Sequence, residues 1–170
     1  MFASDIHGNT EKLEILVRKC LNGRFDRFVL TGDVTGFFGN GILRCLQPVS
    51  CVVSAVMGNC DNANIMKSCN IPVEDDYGVF YVDGFNLFYT HGHIFGYNNN
   101  PPGMNTGDVL VCGHTHIPKL ECKRGFLFAN PGSASRPRGG FVPTYMTYDN
   151  GIFEISDFAG NVIMSHKIRQ

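Results

Sequence analysis

Five short strings along the 170-residue chain carry the residue types that hold metal ions: Asp5-Ile6-His7, Gly32-Asp33, Gly58-Asn59-Cys60-Asp61, Thr90-His91-Gly92-His93 and Gly113-His114-Thr115-His116. Five of the six histidines fall inside them, and only His166 lies outside. Imidazole, carboxylate and amide donors suit Mn²⁺, Fe, Ni or Zn²⁺ better than Ca²⁺ or Mg²⁺. Residues spaced i, i+2 on an extended segment project the same way, which makes Asp5 with His7, and His114 with His116, candidate ligand pairs. Carboxylates also bridge cations. Two cations about 3.5 to 4 Å apart hold a hydroxide between them, clamp two oxygens of a phosphoryl group and support an in-line displacement. Taken singly, Asp-x-His or Gly-Asp reads as a polar loop; Gly-His-Thr-His is more specific, and the ordered set of five points to a metal centre.

Each string directly follows an apolar run, so strands must position it. The runs are Met1 to Ser4, Phe28 to Thr31, Val49 to Met57, Phe85 to Thr90 and Val109 to Cys112. Between the first two, Leu13, Leu16, Val17, Cys20 and Leu21 recur at helical spacing, predicting a helix over Thr10 to Asn22 with Asn9 or Thr10 as N-cap and Glu11 and Glu14 near its positive end. Ile42 to Leu46 is a brief helical patch. The first third therefore reads βαβαβ. After it strands follow strands: Val79 to Val82, Leu120 to Cys122, Phe126 to Asn130, Thr144 to Tyr148, Ile152 to Ser156 and Val162 to Ile168, with Asp83-Gly84 and Asn150-Gly151 as hairpin turns. Gly96 to Gly107, rich in Asn and Pro, reads as a surface loop. An α/β half and a β-rich half in one domain over 1–170 predict a four-layer α/β sandwich, two mixed sheets face to face with helices outside. Ligands of such sheets bind beyond the carboxyl ends of the strands, so the five strings are expected to meet.

Composition narrows the classes. With 44% hydrophobic and 17% charged residues, the chain is not of the disordered kind. Fourteen Lys+Arg against 15 Asp+Glu leave a net charge of −1, no global ground for binding long nucleic acid or an anionic membrane. No apolar stretch approaches the roughly 18 to 20 residues of a membrane span, and Asp5 interrupts any signal-peptide core, so a cytoplasmic protein is expected. Seven scattered cysteines with no Cys-x-x-Cys pair read as reduced thiols.

The order Asp-x-His, Gly-Asp, Gly-Asn-x-Asp, His-Gly-His, Gly-His-x-His, followed by Asn130-Pro131-Gly132-Ser133, resembles the calcineurin-like metallophosphoesterase superfamily and its minimal YfcE-type phosphodiesterase branch, from Phe2 to Ser135. The resemblance implies two divalent cations per chain, Mn²⁺ first among the candidates. One is held by Asp5, His7, Asp33 and His116, the other by Asp33, Asn59, His91 and His114, with Asp33 bridging. It also implies hydrolysis of a small phosphodiester by attack of a metal-bridging hydroxide. One position departs from the pattern. Many members carry His after Gly-Asn as proton donor to the leaving oxygen, oriented by the acid that follows; here Cys60 stands there, although Asp61 is kept. A thiol of pKa near 8.5 matches neutral pH less well than an imidazole near 6.5, and His93 is the candidate substitute. Asn59, Cys60, Asp61 and His93 are thus the catalytic candidates.

Two rivals are weighed. A protein-interaction scaffold of the retromer-subunit (Vps29) type has no evident need of His7, His91, His114 and His116 beside two aspartates. A cysteine hydrolase pairing Cys60 with His93 leaves the other histidines unused. The Gly36-x-x-Gly39-x-Gly41 run lacks the spacing and Lys of a P-loop and reads as a turn. Phe37, Phe38, Phe95 and Tyr97 are expected near the mouth of the site, as stacking surfaces for a base or aryl group, or else as core packing or a homo-oligomer contact. Arg136 and Arg138 are read as solvated loop charges rather than phosphate ligands.

Overall fold

The computed structural model describes residues 1–36 and 41–168; Phe37, Phe38 and Gly39, singled out above, lie outside them. The first third runs β1 (Phe2–Ala3), α1 (Thr10–Gly23), β2 (Phe28–Leu30), α2 (Ile42–Leu46), β3 (Val53–Val56), α3 (Ala63–Ser68) and β4 (Val73–Glu74). Asn9 is the cap of α1, its side chain accepting from Lys12 N at 3.0 Å. The helix buries Leu13, Leu16, Val17 and Cys20. It ends at Arg24, in the left-handed region at φ 51°. The apolar run from Val49 delivers a shorter strand than expected. Pro48 opens a 3₁₀ turn over Gln47–Val49, so the chain becomes extended only at Val53. Helix α3 escapes a periodicity search at six residues; its one local signal is Asn62, whose side chain accepts from Asn64 N and Ile65 N.

The remainder is β5 (Tyr77–Val82), β6 (Phe85–Thr90), β7 (Val109–Cys112), β8 (Lys119–Lys123), β9 (Phe126–Asn130), β10 (Thr144–Asp149), β11 (Ile152–Asp157) and β12 (Val162–Lys167). Asn150 and Gly151 both take positive φ, 47° and 81°, and close β10 onto β11 with Asp149 opposite Ile152. One sheet has the order β12-β11-β10-β1-β2-β3-β4, the other β5-β6-β7-β9-β8. Strands β1 to β4 are parallel neighbours, as are β6, β7 and β9, while the later strands and both edges of the second sheet pair antiparallel. Both sheets are mixed, as expected.

The sheets face each other across a core that includes Phe2, Val29, Leu87, Val109, Leu127, Met146 and Phe153. Helices α1, α2 and α3 cover the outer face of the seven-stranded sheet through Leu16, Leu46 and Met66. The outer face of the five-stranded sheet is covered differently. Tyr97 and Met104, from the Gly96 to Gly107 loop, pack on Phe88, Leu110, Cys112, Phe126 and Phe128. All seven cysteines are free thiols. Among the described residues no helix is long and apolar enough to cross a membrane. The carboxyl ends of β1, β2 and β3 in one sheet and of β6 and β7 in the other lie at the same end of the molecule, held by hydrogen bonds from Asp5 N to Gly32 O (3.1 Å), His7 N to Asp33 O (2.7 Å) and Gly113 N to His91 O (2.9 Å).

Candidate metal centre

The strings do not leave their strands as extended segments. Asp5, His7, Asp33, His114 and His116 all sit in the left-handed region, at φ 54°, 49°, 51°, 68° and 62°. The same-side projection expected of an extended i, i+2 pair is therefore corrected: Asp5 and His7 meet through turned backbone, whereas the His114 ring stands against His91 and apart from His116. Backbone of this kind costs of order 1 to 3 kcal/mol per residue and persists where surrounding contacts enforce it. Glycine makes the close approach feasible at two points. A Cβ on Gly32 would lie 2.6 Å from His91 Nδ1, and one on Gly58 would collide with the backbone and carboxylate of Asp33.

Around Asp5, acceptors face acceptors. His116 Nδ1 lies 2.6 Å from Arg136 O; a carbonyl only accepts, so Nδ1 carries the hydrogen and Nε2 presents a lone pair. That Nε2 is 3.1 Å from Asp5 Oδ1 and 3.4 Å from His7 Nε2. His7 Nε2 in turn lies 3.9 Å from Asp5 Oδ1 and 3.8 Å from Asp33 Oδ2. Asp5 is fully buried, and its Oδ1 has no hydrogen-bond donor. Such an atom costs about 1 to 3 kcal/mol, more when charged. Either a proton on the imidazole or a cation between the groups resolves the clash. Hydrogen bonding and charge from Asp5 raise the pKa of His116 against its burial, whereas burial outweighs Asp33 and Asp5 at His7 and lowers it.

The pattern repeats at Asp33. His91, buried, donates from Nδ1 to Thr31 O at 2.9 Å, leaving Nε2 to face Asn59 Oδ1 at 3.0 Å and Asp33 Oδ1 at 3.4 Å. Burial opposes charging of His91, yet hydrogen bonding and charge from Asp33 raise its pKa. Burial also opposes ionisation of Asp33, but His91 and the Cys60 N–H, 2.8 Å from Oδ1, hold its carboxyl well below the usual range. Ligating atoms of Asp5, His7 and His116 converge within 4.8 Å, as do those of Asp5, Asp33 and His91, and those of His7, Asp33 and Cys60. Asp33 thus stands between the two imidazole sets. Buried carboxylates, carbonyl-fixed imidazoles and an orphaned oxygen are what divalent cations require of a protein. The residues fit such ions.

The other candidates are placed less uniformly. The exposed ring of His114 stands edge-on to His91 at 5.1 Å between centroids, outside those convergent groups, while its backbone N–H donates to Asp5 Oδ2 at 3.1 Å. Asn59 presents Oδ1 to His91 and donates from Nδ2 to Cys60 Sγ at 3.3 Å. Cys60 is half-buried; burial, then Asp33, Asp61 and Asp5, push its thiol above the ordinary value. No thiolate nucleophile is prepared there. Asp61 does not orient residue 60 as expected. Its Oδ1 accepts from Val34 N, Thr35 N and Thr35 Oγ1, and its Oδ2 from Gly58 N, all between 2.7 and 3.1 Å, so it clamps the loop after β2 to the loop after β3. His93 is exposed, with its ring 5.3 Å from that of His91. It does not line the cleft.

That cleft, about 470 Å³, is lined by His7, Asp33, Asn59, Cys60, His114, His116, Arg136, Pro137 and Arg138. The two arginines, read above as solvated loop charges, are indeed exposed and also stand in its wall; their only sequence signal was their position just after Asn130-Pro131-Gly132-Ser133. Two of the aromatics, Phe95 and Tyr97, go elsewhere. Phe95 packs edge-on against Tyr77 at 5.5 Å and Tyr97 against Phe128 at 4.9 Å, so both belong to the cover of the second sheet rather than to the mouth.

Comparison with known proteins agrees with this geometry. The chain matches the Calcineurin-like phosphoesterase superfamily domain over residues 1–151. It is 34% identical over 165 residues to Phosphodiesterase YfcE of Escherichia coli, covering 91% of this chain and 89% of that protein. Identity to Probable metallophosphoesterase YsnB of Bacillus subtilis is 28% over 173 residues, covering 96% and 93%. The solved structure of the E. coli phosphoesterase Yfce matches with a TM-score of 0.93 at 32% identity, over 99% of this chain and 98% of that one. Chaetomium thermophilum Vps29 shares the fold at a TM-score of 0.63 and 16% identity, over 99% and 97%. The chain belongs to the calcineurin-like phosphoesterase superfamily.

Proposed function

We propose that this chain is a metal-dependent phosphodiesterase with two divalent cations, one held by Asp5, His7, Asp33 and His116 and the other by Asp33, Asn59, His91 and His114. The observation that carries the reading is the meeting of acceptors: the Nε2 lone pairs of His116 and His91 face Asp5, Asp33 and Asn59 oxygens, and Asp5 Oδ1 has no donor. When bound, the cation pair supplies a water-derived nucleophile at neutral pH and neutralises the phosphoryl oxygens. The chain's own residues supply position. Thr31 O and Arg136 O fix the tautomers and ring planes of His91 and His116, and the Asp61 clamp sets the loop of Asp33 against that of Asn59.

Protonation of the leaving oxygen is the weak step. Cys60 faces the cleft, but carboxylates and burial make its thiol a poorer acid than a free one. Aryl diesters, whose oxygens leave with little help, are the preferred substrates over alkyl diesters. Mn²⁺ is the expected metal, the substrate is small, the compartment is the cytoplasm, and 1–170 acts as one domain. Likeness to Vps29 extends to the fold alone, and the intact donor set favours hydrolysis over scaffolding. The test is elemental analysis of the purified chain beside a panel of aryl and alkyl phosphate mono- and diesters. Mn²⁺-dependent turnover of aryl diesters is expected, and undiminished turnover in a fully metal-stripped sample refutes the reading.

A further inference from the structure

Two cationic side chains stand at the metal cleft. Arg136 and Arg138 line it on either side of Pro137, and among the described residues neither forms an ion pair. Their backbone is held firmly. Arg136 O accepts from His116 Nδ1 at 2.6 Å, and Arg138 N donates to His116 O at 3.1 Å. Arg136 N donates to Ser133 Oγ at 2.8 Å, and that hydroxyl donates to Asp5 O at 2.8 Å. Pro137 locks the intervening φ. Both side chains therefore spring from a segment clamped across a metal-ligand candidate and tied to the loop of another, which lowers the ordering cost of binding.

Charge selects the ligand. A phosphodiester carries one negative charge, which the cations already meet, so two further guanidiniums exceed what a simple diester needs. Planar guanidinium forks pair bidentately with phosphate. The chain as a whole is at −1, so this positive pair is a local feature. The cleft, at about 470 Å³, is of small-ligand size, and no described aromatic lines it to stack on a base. Resting on the phosphodiesterase reading above, we infer that Arg136 and Arg138 bind a second phosphate on the substrate, whose class is a small phosphodiester bearing a phosphomonoester on one of its alcohols.

The p-nitrophenyl 5′-phosphodiester of thymidine, with and without a 3′-phosphate, gives two substrates with one leaving group and one phosphate of difference. Metal-loaded wild type is expected to show a KM about tenfold lower or better for the 3′-phosphorylated diester. In the Arg136→Gln, Arg138→Gln double variant, kcat/KM should fall at least about tenfold further on that substrate than on the other, each charged hydrogen bond contributing on this scale. Equal losses on both, or a wild type without preference, overturn the assignment. Calorimetric titration of the metal-loaded chain with thymidine 3′,5′-bisphosphate and thymidine 5′-monophosphate reads the same subsite without turnover. Selective weakening of the bisphosphate in the double variant supports the assignment, and unchanged binding overturns it. Hydrolysis of neither diester refutes the phosphodiesterase reading instead, with the titration still deciding the arginines.

Discussion

Two clefts of nearly equal size lie beyond the two ends of β1. The metal cleft, about 470 Å³, opens past Asp5; the other, about 490 Å³, is lined by Met1, Phe25, Arg27, Phe80, Tyr148 and their neighbours. The second is the more apolar, and several of its polar groups have partners. The Met1 amino group donates to Arg27 O at 2.8 Å, the Arg27 guanidinium lies 4.6 Å over the Phe80 ring, and Tyr148 Oη donates to Asp83 Oδ2 at 2.6 Å. In the first cleft Asp5 Oδ1 has no donor and imidazole lone pairs point at carboxylates. Volume does not mark the chemistry. Unmet acceptors held by costly backbone do, because only a bound cation or proton repays them.

The sharpest way to break this comparison is to remove the proposed cations or the ligand they are proposed to share. Chelation is expected to abolish hydrolysis and Mn²⁺ to restore it. Asp33→Ala should cost more than the roughly 10- to 100-fold typical of a residue that merely orients a ligand; two metals per chain in that variant, by elemental analysis, would show that Asp33 does not bridge. His91 and His116 hold a proton more tightly than a free imidazole, so an incoming cation must displace it. Apparent metal affinity should therefore weaken as pH falls, beginning above the ordinary imidazole value of about 6.5. Affinity independent of pH between about 5.5 and 7.5 would contradict the acceptor geometry.

Smaller effects sharpen the contrast. Cys60→His restores an acid of pKa near neutrality and is expected to raise kcat/KM about tenfold or more for an alkyl diester, with less gain for an aryl one, since a positioned acid contributes about 10² to 10⁴. Matched gains on both substrates would mean that another group already donates the proton. At the far cleft, Arg27→Ala removes the cation over Phe80 and should lower stability by about 0.5 to 1 kcal/mol, read by urea titration, with kcat/KM unchanged. A tenfold loss of turnover in that variant would erase the distinction between the two ends.

Much of the centre is legible in local sequence. Donors placed directly after apolar runs, Asp5 to His116, converge because parallel strands of a mixed sheet end together, and Asn150-Gly151 specifies its hairpin through the positive φ that both residues tolerate. Residue type and order are enough for such features. What only the tertiary structure decided are matters of contact between distant segments. His7 and His116, 109 positions apart, meet at 3.4 Å. Asp61 is spent on the loop of Asp33 rather than on residue 60, Tyr97 roofs a sheet rather than a cleft, and Arg136 and Arg138 enter the cleft wall because His116 grips their backbone on both sides. A carboxylate or guanidinium looks the same in sequence whether it faces water, a backbone amide or a ligand. Which of these it meets depends on hydrogen bonds closed only when the two sheets pack, and that is a property of the folded chain alone.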